Sequence, residues 1–150
     1  MALSIHKSHI SPFPIETVYK VVVDVEHYQD FIPWCQKSTI VERINDDHFK
    51  ADLKVGLGPL SDTYRSTVEC DPFSRIHVFC QEKPLKHLES TWTFRELSEQ
   101  QTQINYDMIF SLQSSFFQGM IQKILQQSAD QIFTAFDQRL AHVHKQGLQI

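Results

Sequence analysis

The spacing of apolar residues changes twice along this chain, and each change predicts a different kind of element. Residues 3–10 alternate loosely between apolar and polar side chains and predict a first strand. Pro12 and Pro14 interrupt it. Ile15, Val18, Tyr19, Val22 and Val25 then recur at helical spacing, with Pro14 suited to a first helical turn. The run Val21-Val22-Val23 pulls toward a strand, because β-branched side chains lose χ1 freedom in a helix. Spacing favours the helix.

Beyond this segment the period falls to two. Residues 38–45 predict a strand, and Asp46-Asp47 a hairpin turn. Phe49, Ala51, Leu53, Val55 and Leu57 share one face of the next strand, with Lys50, Asp52 and Lys54 on the other. Tyr64, Ser66, Val68 and Cys70 stand opposite Thr63, Arg65, Thr67 and Glu69. Asp71-Pro72 predicts a turn and residues 74–81 a further strand. Leu88, Ser90, Trp92 and Phe94 share a face, as do Ile104, Tyr106, Met108, Phe110 and Leu112. Short separations favour an antiparallel meander.

The last part of the chain returns to helical period. Phe117, Ile121, Ile124, Leu125, Ile132, Phe133, Phe136, Leu140 and Val143 form one apolar stripe, over roughly eight turns at about 3.6 residues each. Phe116 and Met120 broaden its first third. Such a helix must lie across something, and the concave face of the sheet is the available partner. The expected class is α+β, with one sheet holding one long helix. Residues 1–150 read as one domain, since no linker, repeat or low-complexity stretch divides them. The inward aromatics either fill a core or wall an apolar cavity, and periodicity does not separate these readings.

Charge and chemistry narrow the function. A net charge of −4 supplies no field toward nucleic acid. Three cysteines without C-x-x-C spacing suggest reduced thiols in a cytoplasm-like compartment. The opening residues lack the pattern of a targeting segment, and no run reaches the roughly eighteen apolar residues of a membrane span. The expected location is the cytoplasm, with any membrane contact peripheral, at the inner membrane. The histidines do not fall at metal-ligand spacing, so no metal and no catalytic cofactor is expected. No G-x-S-x-G, phosphate loop or dinucleotide fingerprint occurs. Cys35 beside Trp34 has the residue type of a nucleophile, but no spacing brings His27 or Lys37 to it as an activator. It reads as a packing residue, and the chain as a non-enzyme.

Residues 21–38, VVVDVEHYQDFIPWCQKS, resemble the signature segment of the coenzyme Q-binding START-domain family: a valine-rich helix, then Tyr-x-x-Phe-x-Pro-Trp-Cys, then Lys-Ser. Tyr28, Phe31, Pro33, Trp34, Cys35, Lys37 and Ser38 match. His87, Leu88, Glu89, Trp92 and Phe94 are similar to that family's His-Leu-Glu-x-x-Trp-x-Phe strand. The similarity follows element order into the closing helix. It implies a helix-grip (START-like) fold, a curved antiparallel sheet wrapped around the C-terminal helix with an apolar cavity between them. It further implies a bound ubiquinone or similar isoprenoid lipid, carried or chaperoned in support of respiratory electron transport. The family overlaps bacterial ribosome-association toxins and polyketide cyclase-like proteins. A module acting on the large ribosomal subunit is therefore the first alternative, and a cyclase-like enzyme the second. Ribosome binding belongs only to that first alternative; otherwise no nucleic-acid partner is expected.

On this reading the cavity is lined by Phe31 and Trp34 from the first helical region. From the sheet it takes Leu53, Val55, Tyr64, Val68, Trp92, Phe94, Tyr106, Met108 and Phe110. From the last helix it takes Phe117, Ile121 and Ile124. Tyr64, Tyr106 and Trp92 supply candidate donors for a carbonyl-bearing headgroup. The apolar band around Phe117 is a candidate lid or lipid-touching surface.

Overall fold

The computed structural model describes residues 3–32, 35–57, 60–80, 85–112 and 133–144. Strand β1 (Leu3–Ser11) leads into helix α1 (Ile15–Val23), a 3₁₀ turn (Val25–His27) and the single-turn helix α2 (Tyr28–Phe31). Six strands follow: β2 (Cys35–Asn45), β3 (His48–Leu57), β4 (Leu60–Asp71), β5 (Arg75–Cys80), β6 (Leu85–Ser98) and β7 (Gln101–Leu112). Helix α3 occupies residues 133–144. The strands form one antiparallel sheet in the order β1-β7-β6-β5-β4-β3-β2. β2 to β7 make the meander that the alternation predicts, while β1 crosses over to pair with β7 from Leu3↔Phe110 to Ser11↔Thr102. The sheet is curved and grips the C-terminal helix. Irregular register between Cys35 and Asn45, and again in β6, adds twist at those points.

Helix α1 buries Val18, Tyr19, Val21 and Val22 together, and that burial outweighs the conformational cost of its valines. Pro14 lies one step outside the helical turn in which the sequence places it. Its ψ of 150° is extended, and its carbonyl accepts the first bond, from the Val18 N–H at 3.0 Å. The helical pattern also breaks at Asp24, where ψ is 68°. Tyr28 donates its hydroxyl to the carbonyl of Val22, satisfying a group at the end of α1. Ile32 is extended, with φ −93° and ψ 115°, as the following Pro33 requires.

β2 is one edge of the sheet, and its exposed backbone is partly sealed. The Ser38 and Ile40 N–H groups donate to Gln29 Oε1 (3.0 Å) and Glu26 Oε2 (3.1 Å). At the turn after β4, Phe73 adopts φ 61°, a conformation costly for a residue with a side chain. Its ring packs against Tyr19 at 5.1 Å between centroids, which offsets part of that cost.

Helix α3 turns Phe133, Phe136 and Leu140 inward, all within a tenth of full burial, along the predicted stripe. The earlier part of that stripe lies outside the described residues. A polar contact flanks the apolar face of α3. Asp137 receives His9 Nε2 at 2.7 Å on one carboxylate oxygen and the Ser11 hydroxyl at 3.2 Å on the other. His9 also stacks on Phe133, with centroids 4.9 Å apart. This joins the helix to the edge strand β1 through geometry that hydrophobic burial alone does not specify.

Asp137→Ala removes both acceptors while His9 and Ser11 remain, so it should destabilise the fold by about 1–3 kcal/mol. Urea unfolding checks this: the midpoint falls with the slope unchanged.

Candidate functional site

Strand alternation sends two kinds of side chain to the concave face. Large residues from β6 and β7 form an aromatic wall: Trp92 lies against Tyr106, with ring centroids 4.4 Å apart, and against Phe136 at 5.3 Å. Between the wall and β3 the floor is made of small groups, Ser66, Cys80 and Ser90, all buried. Tyr64 and Tyr106 both pack over the group formed by Cys80, Leu88 and Met108. Val55, Tyr64, Val78 and Tyr106 face inward yet are only partly covered. Phe31 and Tyr28 close one side through edge-on contacts with Phe136 at 5.2 and 5.6 Å.

The phenols there are thoroughly desolvated. Burial pushes the hydroxyls of Tyr28, Tyr64 and Tyr106 well above the ordinary phenol range, and for Tyr28 and Tyr64 the nearby Tyr106 adds to the shift. They are neutral donors at any physiological pH. Tyr106 spends its hydroxyl inside the protein, donating to Met108 Sδ at 3.2 Å and hydrogen bonding with the Ser90 side chain. Tyr28 spends its own on Val22. The Ser38 hydroxyl, by contrast, is buried without a hydrogen-bond partner among the described residues.

Burial also disarms the thiol of the signature segment, Cys35. Cys35 is 3% exposed, its Sγ lies 3.8 Å from the Lys37 carbonyl, and desolvation raises its pKa to about 11. A neutral buried thiol is a weak nucleophile. No group of three or more His, Cys, Asp or Glu side chains suited to a metal exists among the described residues. An open depression of about 520 Å³ at the opposite turns is lined by Asn45, Asp46, Asp47, His48, Glu69, Cys70, Asp71 and Arg75. Its acidic, solvent-facing walls do not suit an apolar ligand.

Of the residues nominated from sequence, Leu53, Val68, Trp92, Phe94 and Met108 are buried on the concave side, and Phe31, Val55, Tyr64 and Tyr106 are partly covered. Val68, 2% exposed, is committed to packing, and Phe94 packs edge-on to Tyr19 at 5.7 Å. Phe110 pairs through its backbone with Leu3 and Leu88. The Phe110 side chain, Trp34, Phe117, Ile121 and Ile124 lie outside the described residues. Sequence reasoning missed Tyr28, Ser38, Val78 and the inward face of β1, where Ile5, Lys7, His9 and Ser11 alternate with the outward Ser4, His6, Ser8 and Ile10. The parity of burial in β1 is the signal, but its polar residues mask it. Lys7 stands directly opposite Tyr106 in the register.

A curved antiparallel sheet closed on a helix, with an apolar, hydroxyl-dotted inner face, is the helix-grip class of fold. Residues 11–137 match the family model described as polyketide cyclase / dehydrase and lipid transport, and the chain belongs to that family. Among curated relatives, the mitochondrial coenzyme Q-binding protein COQ10 of Dictyostelium discoideum is 33% identical over 85% of this chain and 63% of its own length. The ribosome association toxin RatA of Pseudomonas aeruginosa is 26% identical over 96% of this chain and 99% of its own. The chain thus spans under two thirds of the first relative and almost all of the second. Among solved structures, the Zhui aromatase/cyclase from Streptomyces sp. R1128 superposes with TM-score 0.80 at 18% identity, covering 94% of each chain. Human STARD10 superposes at 0.78 and 11%, covering 97% of this chain and 66% of its own. At such identities the structures show a shared fold.

With a pKa near 11, Cys35 holds about a hundredth of the thiolate that a thiol of pKa 9 holds at pH 8. Alkylation of Cys35 by iodoacetamide, followed by peptide mass spectrometry, should be at least that much slower than for a free cysteine and should accelerate up to about pH 11.

Proposed function

We propose that this protein is a non-enzymatic binder of ubiquinone or a similar isoprenoid quinone, acting as its carrier or chaperone in support of respiratory electron transport. The observation that carries this reading is the inner face itself. Partly covered Val55, Val78, Tyr64 and Tyr106 surround a floor of small buried side chains, Ser66, Cys80 and Ser90. An isoprenoid tail gains about 0.8 kcal/mol for each methylene or methyl withdrawn from water, so such a surface supplies affinity without dedicated polar contacts. Desolvated neutral hydroxyls suit a headgroup whose polar atoms are carbonyl acceptors. Relatives named as coenzyme Q-binding proteins support the same ligand. No helix among the described residues is long and apolar enough to cross a membrane. Lipid delivery on this reading proceeds through peripheral contact.

A second reading draws on the near-complete length match to the ribosome association toxin of Pseudomonas aeruginosa. There the chain binds the large ribosomal subunit. A cyclase-like activity has the family description and the shared fold behind it, but the raised pKa values of the inward tyrosines leave them poor general bases at neutral pH.

Organic extraction of protein purified from a quinone-producing host should yield quinone by mass spectrometry. Absence of co-purified quinone, together with no saturable uptake of added quinone, would sink the carrier reading. Sucrose-gradient sedimentation tests the second reading, since a ribosome binder travels with the particles in a salt-sensitive manner. Val78→Trp should weaken quinone binding at least tenfold by filling space beside Tyr106 while far-UV circular dichroism stays unchanged.

A further inference from the structure

Two hydroxyls on the inner face stand apart from the rest. The Tyr64 phenol owes its raised pKa to burial and neighbouring ionisable groups, with no hydrogen bond contributing, whereas the phenols of Tyr28 and Tyr106 are bonded within the protein. No hydrogen bond to Tyr64 Oη occurs among the described residues. The Ser38 hydroxyl, in a residue 3% exposed, likewise has no partner there. The sheet register links them: Ser38 pairs with Leu53, and Leu53 pairs with Tyr64. Both hydroxyls therefore belong to one cross-strand row, two strand spacings or roughly 10 Å apart along the sheet.

An unsatisfied buried hydroxyl costs on the order of 1–3 kcal/mol, a cost that falls on Ser38, while Tyr64 Oη in the same row has no hydrogen-bond partner among the described residues. A ligand acceptor arriving there recovers it. We infer that the Ser38–Leu53–Tyr64 row is the headgroup end of the cavity, with Tyr64 Oη donating to a neutral carbonyl-type acceptor and Leu53 packing on the ring that bears it. This rests on the cavity reading above and adds an orientation to it. The polar end points toward β2–β4, and the apolar tail runs along the wall of Trp92 and Tyr106. It also names the ligand chemistry: a flat, uncharged group with carbonyl oxygens, favoured over a hydrocarbon with the same tail. Ser38 is the second donor of the row, reached by a small shift of a short side chain.

The test compares a short-tailed ubiquinone with an isoprenoid hydrocarbon of matched length, both titrated into the full chain. Tyr64→Phe deletes one oxygen and should weaken quinone binding about 5- to 30-fold while leaving the hydrocarbon within about twofold. Ser38→Ala should act in the same direction more weakly, and Tyr106→Phe should spare the preference for quinone over hydrocarbon. Infrared spectra of wild-type protein with bound quinone give a readout that needs no variant. A carbonyl stretch moved to lower wavenumber than in alkane supports the donor, and an unshifted stretch overturns it. Equal quinone affinity in wild type and a folded Tyr64→Phe protein overturns this inference alone. A wild-type chain that takes up the hydrocarbon but no quinone overturns both it and the quinone reading.

Discussion

Phe136 is where three parts of the chain meet. Its ring stands edge-on to Tyr28 and Phe31 from the first helical corner and to Trp92 from the middle of the sheet, all within 6 Å between centroids. A curved sheet with an apolar concave face cannot persist in water without a cover, and a helix as apolar as α3 cannot persist without a trough. Each element solves the other's problem. Because the fit is aromatic and edge-on, it holds the helix at a distance set by ring dimensions. Val55, Val78, Tyr64 and Tyr106, on the same inner face, are only partly covered.

The polar fastening works alongside this contact with a different logic. Ser11 is fully buried but His9 and Asp137 are only part-buried, so the contact adds modest free energy but strong directional preference. Apolar packing tolerates a helix that slides or rotates by a fraction of a turn. A carboxylate receiving two donors from alternate residues of one strand does not. The edge strand β1 therefore sets the register of the helix on the sheet, while the rings set its height.

The period-two segments made most of the sheet legible. Phe49, Ala51, Leu53, Val68, Trp92 and Ile104 are buried on the faces that alternation assigns them, because a half-buried strand writes its orientation directly into its pattern. The hairpin at Asp46-Asp47 was legible for the same local reason. β1 was only half so: its strand character shows, but its inward Lys7 and His9 are polar, and its place beside β7 depends on contacts about a hundred residues away in sequence. The break at Asp24 and the left-handed Phe73 were hidden because tertiary partners, Tyr28 and Tyr19, sustain them. The candidate site divided similarly. Tyr64 and Tyr106 were visible as inward aromatics, but which of their hydroxyls is already engaged is a three-dimensional fact.

One consequence concerns the open rim of the sheet at β2. A strand at a rim is a template on which another strand of any origin can crystallise, and the first half of β2 would otherwise offer consecutive backbone donors. Gln29 and Glu26 occupy the donors of Ser38 and Ile40, so the short helical corner does for this rim what a neighbouring strand would do, without extending the sheet. The corner that braces the helix through Tyr28 and Phe31 thus also ends the lattice of backbone bonds. The sheet is terminated by the same six residues, 26–31, that brace the helix lying across it.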